Sequence, residues 1–364
     1  MRKVLSLAVS AVALLMLPVS QMSCSDKVAG PDTKDGIPLI AVAATDYQTA
    51  GNFEIILADY TVKPNLLPGL HTDLAVRARG RYVYILESMG KDKVTKYDSK
   101  GGKTVLEEPL GAGLNIQDIA VVSDTKAYIS SYQTSDLIVF NPATGKEILK
   151  ISLAEFNTYA GTDSAETTPY ASALAVYDGY VYVACQRLKN FEPADTSLIV
   201  VIDSRTNTVS RSIKLNKKNP SSLDVFQGRL LVSSPGDWFD ASTGGVEAID
   251  LTSNTNQGVK FDGIVTAIVS VSLDKAYIGV MGADWNTEIV PFDPTAGTAG
   301  AKVDGITDGS GGLAYDGSSS RLYVGERGFG TTTGVAVVNP ATNTVERTIP
   351  TSLPPTSIAV IFAD

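Results

Sequence analysis

Asn141-Pro142-Ala143-Thr144-Gly145-Lys146 returns as Asp293-Pro294-Thr295-Ala296-Gly297-Thr298 and again as Asn339-Pro340-Ala341-Thr342-Asn343-Thr344. The chemistry is that of a tight chain reversal. Asn or Asp accepts a local backbone hydrogen bond, Pro sets one φ, and Gly or Asn tolerates the left-handed residue that turns the chain back. Looser forms start at Asp98, Asp203 and Asp250, so the six turns begin 43, 62, 47, 43 and 46 residues apart. That is the period of a four-stranded propeller blade.

Working outward from each turn, two further elements repeat. An apolar triplet or near-triplet occurs seven times, at Leu74, Ile119, Leu174, Leu223, Ile268, Leu313 and Ile358. A short strand of aromatic and β-branched residues follows each of the first six, as in Tyr82 to Leu86, Tyr180 to Cys185 and Leu322 to Gly325. Content and alternation both favour β structure. The order at the ends decides the blade count. Leu39 to Ala44 reads as a second strand and Phe53 to Ala58 as a third, with no first strand before them, whereas Ser357 to Ile361 is a first strand with nothing after it. Six complete units and one shared by the two ends predict an all-β, seven-bladed β-propeller whose ring is closed by backbone pairing, with no open edge left over. A short helical turn is expected within Ala154 to Thr168.

The Tyr-Val-Tyr strands (Tyr82 to Tyr84, Tyr180 to Tyr182), the Ala-Tyr-Ile strands (Ala127 to Ile129, Ala276 to Ile278) and the Asn-Pro-Ala-Thr turns resemble the YVTN-type repeats of surface-layer propellers in bacterial and archaeal exported proteins. The resemblance covers residues 37–364. It implies fold far more than function, because such propellers bind ligands, bind proteins or act as enzymes.

Export is expected from the other end of the chain. Met1-Arg2-Lys3 precedes an apolar run from Val4 to Val19, the layout of a secretory signal over residues 1–23. The run is too short to span a bilayer. Val19-Ser20-Gln21-Met22-Ser23-Cys24 resembles the processing site of bacterial lipoproteins, although Gln21 stands where that pattern prefers Leu. Lipidation at Cys24 then makes residues 24–36 a polar tether and places the protein in the cell envelope, membrane-anchored and candidate for the outer-membrane surface. Cleavage without lipid leaves it periplasmic or secreted. Cys185 is the only other cysteine and reads as a core thiol.

The formal charge is −9, with 39 acidic and 30 basic side chains and no basic cluster, which argues against nucleic acid as a partner. His71 is the only histidine, so sites needing several imidazoles are excluded for this chain alone. No nucleophile elbow, P-loop or dinucleotide fingerprint is present.

In a propeller the loops after the second strands and those after the fourth share one face, around the mouth of the central channel. The second-to-third loops carry an unusual number of rings: Tyr47, Tyr132, Phe191, Trp238, Phe239, Trp285 and Phe329. Gln186, Arg187, Glu326 and Arg327 stand at the ends of second strands beside them. The two longest loops, 187–196 and 235–244, belong to neighbouring blades and hold Phe191, Trp238 and Phe239. These residues form the expected ligand-binding set, with rings supplying apolar area and the polar groups direction. Loop carboxylates Glu87, Asp237, Asp240, Asp284 and Glu326 are candidates for a structural calcium, with no other cofactor expected. The expected function is a binding module for a small or extended ligand. The alternatives are a protein-protein interaction scaffold for an envelope partner and a weak or metal-assisted hydrolase; composition and motifs favour binding over catalysis.

Overall fold

The computed structural model describes residues 38–328 and 333–362. The signal segment, Cys24 and its tether, and Phe329 lie outside the described residues.

Seven four-stranded antiparallel sheets form the seven blades. Blade 1 is the composite one, and blades 2 to 7 follow in chain order. Their innermost strands are Pro355–Val360, Leu74–Arg79, Ile116–Ser123, Ala171–Tyr177, Ser222–Phe226, Val265–Ser270 and Leu313–Asp316. Each holds one of the seven apolar triplets. In blade 1 the second strand, Pro38–Thr45, pairs with Pro355–Val360 in the register Ile40 to Val360, Val42 to Ile358 and Ala43 to Ser357. Thr45 N donates to Pro354 O at 2.9 Å and Ile361 N to Leu39 O at 2.8 Å, so both ends of the seam are tied.

Second and third strands are enclosed on both faces because each blade is packed between two others. They accordingly read as nearly continuous apolar runs rather than alternating ones. Tyr180–Cys185 and Leu198–Asp203 of blade 4 show it: nearly every residue is buried. Outermost strands alternate, as in Lys103–Pro109 and Thr208–Lys214, because one face looks to solvent. In blade 6 the outermost strand shrinks to Thr298–Ala299, where Gly297 and Gly300 flank it and offer no side chain to pack. The expected helical turn is the 3-10 segment Ala154–Phe156.

The repeating turns have the chemistry read from their residues. Asn339 Oδ1 accepts from Ala341 N at 2.9 Å, Asn339 O from Asn343 N at 2.8 Å, and Asn343 takes φ 56°. Asp293 with Gly297 and Asn141 with Gly145 repeat the pattern. The same turns stitch blades together. Tyr128 Oη donates to Asn207 Oδ1 at 2.5 Å in the turn of the next blade, and Tyr277 Oη donates to Asn343 Oδ1 likewise. Tyr84, Tyr128, Tyr182, Tyr277 and Tyr323 are all buried at the equivalent place of their second strands. Burial pushes the Tyr128 and Tyr277 hydroxyls up to about 12, so they remain donors at any ordinary pH.

Candidate functional site

Innermost strands converge on the axis, and their neighbours across the channel come from different blades. Side chains bridge them, Ser357, Asp118 and Asp224 among them. Ser357 Oγ accepts from Val76 N at 3.2 Å, linking blades 1 and 2. Asp118 links three blades: its Oδ1 pairs with Arg77 Nε at 2.8 Å and its Oδ2 accepts from Leu174 N at 2.8 Å. Asp224 Oδ2 accepts from Ser270 N at 2.7 Å, linking blades 5 and 6.

Asp224 is enclosed enough that burial raises its carboxyl above the ordinary aspartate range, outweighing the opposing effect of the Ser270 hydrogen bonds. A carboxyl with a raised folded pKa contributes stability that is fully present below the unfolded pKa and lost as pH rises through the folded one. Asp224→Asn keeps an acceptor for Ser270 N without the buried charge. It is expected to match the wild type near pH 4 and to exceed it near pH 7.5, read by urea denaturation at the two pH values. A variant that is instead less stable at neutral pH than in acid, relative to wild type, would show that the Asp224 charge is favourable.

On the loop face the channel widens into a cavity of about 510 Å³ with contributions from every blade. Its wall holds the small polar residues Ser221, Ser222, Thr266, Ser310, Thr356 and Ser357, the apolar Leu174, Leu223, Ile268, Leu313 and Ile358, and the Arg77–Asp118 pair. Trp238 and Met281 stand at its mouth with Arg327. Close approach of two backbones shapes the blade 7 side: Gly311 N donates to Gly325 O at 2.9 Å, and a Cβ on Gly311 would lie 2.7 Å from that oxygen. A second recess of about 350 Å³ is lined by Tyr47, Thr72, Asp73, Leu74, Arg327 and Thr356. Arg327 borders both.

Of the site residues expected from sequence, Tyr47, Trp238 and Arg327 line these two spaces. The Arg327 guanidinium lies over the Tyr47 ring, 4.9 Å from its centroid. Trp238 is 37% exposed, so its indole is neither buried in its blade nor wholly free of it.

The 187–196 loop is built differently. Arg187 pairs with Asp195 at 2.6 Å and donates to Asn157 O and Thr196 O, which pins the loop back on its own blade. A two-residue ladder, Leu188–Lys189 with Glu192–Pro193, carries Phe191 outward. There Phe191 meets Tyr170 edge-on, and Tyr170 meets Tyr132 in the same way, each at 5.9 Å between ring centres. Gln186 is buried and its Nε2 donates to Pro220 O at 3.1 Å. Burial raises the Tyr132 hydroxyl.

Glu326 is buried too, its carboxyl raised by that burial, with Thr307 Oγ1 at 3.4 Å. Phe239 and Trp285 form an edge-to-face pair at 5.8 Å on the outer side of the face, 88% and 55% exposed. His71 Nδ1 accepts from Asp73 N at 3.1 Å and closes its own turn. Among the described residues, no group of three or more His, Cys, Asp and Glu is gathered so as to hold a metal ion.

Sequence reasoning missed Arg77, Asp118 and Met281. A charged residue beside an apolar triplet in the narrowest strand of a blade was the available signal, since such a side chain has only the channel or the adjoining blade to meet.

No protein-family model and no curated protein sequence matches the chain. Among solved structures it is similar to a chain of Kuenenia stuttgartiensis hydrazine synthase, with TM-score 0.63 and 16% identity over 80% of this chain and 91% of that one. The computationally designed Ika8 protein is similar with TM-score 0.55 and 14% identity over 89% of this chain and 88% of that one. At such identities the likeness is one of fold, and the chain is a seven-bladed antiparallel β-propeller.

Proposed function

We propose that the protein is a binding module that holds a small ligand with an apolar portion in the axial cavity of its loop face. The observation that carries this is the about 510 Å³ cavity itself, lined by small polar, apolar and charged side chains with Trp238 among them. Its size falls in the range of sites for small organic ligands, and its wall divides between polar groups able to orient a ligand and apolar side chains able to cover the rest of it. The leader and Cys24 support an exported, lipid-anchored placement in which this face is offered to the cell envelope or beyond.

Trp238→Ala is expected to weaken ligand binding by about 1 to 4 kcal/mol, the range of an aromatic anchor, with the melting temperature nearly unchanged. Isothermal titration with the ligand recovered from source-purified protein measures the first quantity and calorimetric melting the second. Strong destabilisation with binding intact would make the ring a seal on its blade.

A scaffold for a protein partner is the second function, and one observation favours it. Phe239 and Trp285 present adjoining exposed rings beyond the cavity rim. Paired exposed aromatics resemble the centres of protein interfaces. Loss of a co-purifying protein from the Phe239→Ser, Trp285→Ser double variant, with no small molecule bound to either form, would support this function over the first.

A further inference from the structure

We infer that the ligand of the axial cavity is a carboxylate with an apolar body, its carboxylate held by Arg327; this deepens the binding function proposed above and rests on it.

Two arginines line the cavity, and the fold treats them oppositely. Arg77 is matched: its Nε meets Asp118 at 2.8 Å and its Nη1 donates to Val76 O at 2.9 Å. Arg327 has no carboxylate within ion-pair distance among the described residues. Its Nε is buried with no hydrogen-bond partner, while the guanidinium lies over the Tyr47 ring and meets that side chain's hydroxyl, a neutral partner that leaves the charge unbalanced. A guanidinium cannot shed its proton to escape such a setting, so it stays a cation at the border of the cavity. An anion that enters supplies the missing countercharge.

The geometry of a guanidinium favours a planar anion with two oxygens, which it meets through parallel N–H groups. Two hydroxyls on the same wall, Thr287 Oγ1 and Ser310 Oγ, are buried without partners. Asp308 Oδ1 holds their backbones together by accepting from Thr287 N at 3.1 Å and Ser310 N at 3.2 Å. They are neutral donors in the lining that also holds Arg327, with the Asp308 carboxylate engaged by their backbones. Single charge is favoured over double because Asp118 shares the cavity and Asp73 the adjoining recess, with no second unmatched cation to offset a dianion. The remaining wall, with Trp238, Met281, Leu223, Ile268 and Leu313, suits an apolar body.

The test uses the mature protein with 4-phenylbutyrate, its uncharged amide 4-phenylbutanamide, and phenyl phosphate, each titrated calorimetrically at millimolar concentration. The acid is expected to bind at least about tenfold more tightly than the amide, the ratio that one charge-assisted hydrogen-bonded contact provides. Phenyl phosphate is expected to bind more weakly than the acid. Arg327→Met, which retains the apolar stem, should erase the preference for acid over amide, and Arg327→Lys should retain part of it. Melting of each variant confirms that the fold persists.

Equal binding of acid and amide, no saturable heat from the acid, or a preference that survives Arg327→Met overturns the inference, as does phosphate binding tighter than the acid. Acid and amide bound equally and both lost in Trp238→Ala would leave the cavity as the site while removing the carboxylate. Acid binding untouched by Trp238→Ala but abolished in Arg327→Met would place the anion in the Tyr47 recess, away from the proposed apolar anchor, and count against the binding function as stated.

Discussion

Removal of residues 357–364 is expected to turn the protein into a loosely folded, aggregation-prone chain, with a stability loss of at least about 5 kcal/mol, comparable to the whole margin of a typical domain. The segment holds most of the innermost strand of blade 1, including Ile358 and Val360, which pack among Ala314, Tyr323 and Val335 of blade 7. Without it, Pro38–Thr45 loses its pairing from Ile40 to Ala43 and presents an unpaired apolar edge, the kind that recruits a second chain. Val76 N loses the Ser357 hydroxyl that binds it to the neighbouring blade. Size-exclusion chromatography and urea denaturation read the outcome; a monomeric product with the wild-type midpoint would contradict closure by this strand.

A permuted chain offers the complementary result. Because Ile361 N reaches Leu39 O at 2.8 Å, residues 355–362 can be joined ahead of residue 38 by a short linker, giving seven blades with the same strand order. That chain is expected to fold and stay monomeric, though with a lower midpoint, because blade 7 and blade 1 are then no longer one continuous chain across the seam.

The second large effect is expected at Asp118. Asp118→Ala removes the acceptor shared by Arg77 and Leu174 N, and leaves a guanidinium without its carboxylate and a backbone N–H without its acceptor between three blades. Losing one partner of a buried pair costs about 3 to 5 kcal/mol, and the partial exposure of Arg77 moves the expectation to about 2 to 4 kcal/mol. Asp118→Asn, which keeps an acceptor for Leu174 N, should cost less than half as much. Urea denaturation of the two variants provides the comparison. A loss below about 1 kcal/mol for the alanine form would mean that solvent in the channel takes over both partners.

Much of the architecture is legible in the amino-acid sequence because its determinants are local. Asn339, Pro340 and Asn343 specify their reversal within six residues, and Tyr180-Val181-Tyr182 announces a strand buried on both faces without reference to distant sequence. The split blade is legible from order alone, since a second strand at Leu39 has no first strand before it. Positions that line the axial cavity are harder to read, because their partners are remote. Asp118 meets Leu174 N from 56 residues away, a proximity created only when the blades close into a ring.

Gln186 and Arg187 show the same limit from the other side. Their types and positions suit a ligand face, yet Gln186 Nε2 is engaged by Pro220 O and Arg187 by Asp195 and Asn157 O. Nothing within a few residues of Arg187 indicates that Asn157, from the preceding long connection, arrives beside it. Trp238 and Phe239 are adjacent in sequence and part company in space, one to the cavity and the other to the outer rim beside Trp285. Loop position therefore does not tell which ring turns toward the cavity.

Native mass spectrometry of the protein purified from its source tests the central claim most directly. Wild-type protein is expected to carry a small organic molecule in a one-to-one complex, retained under gentle ionisation and depleted in both Trp238→Ala and Arg327→Met. Equal retention of that molecule by both variants, or a wild-type protein that brings down only a macromolecular partner, would contradict a ligand held in the axial cavity.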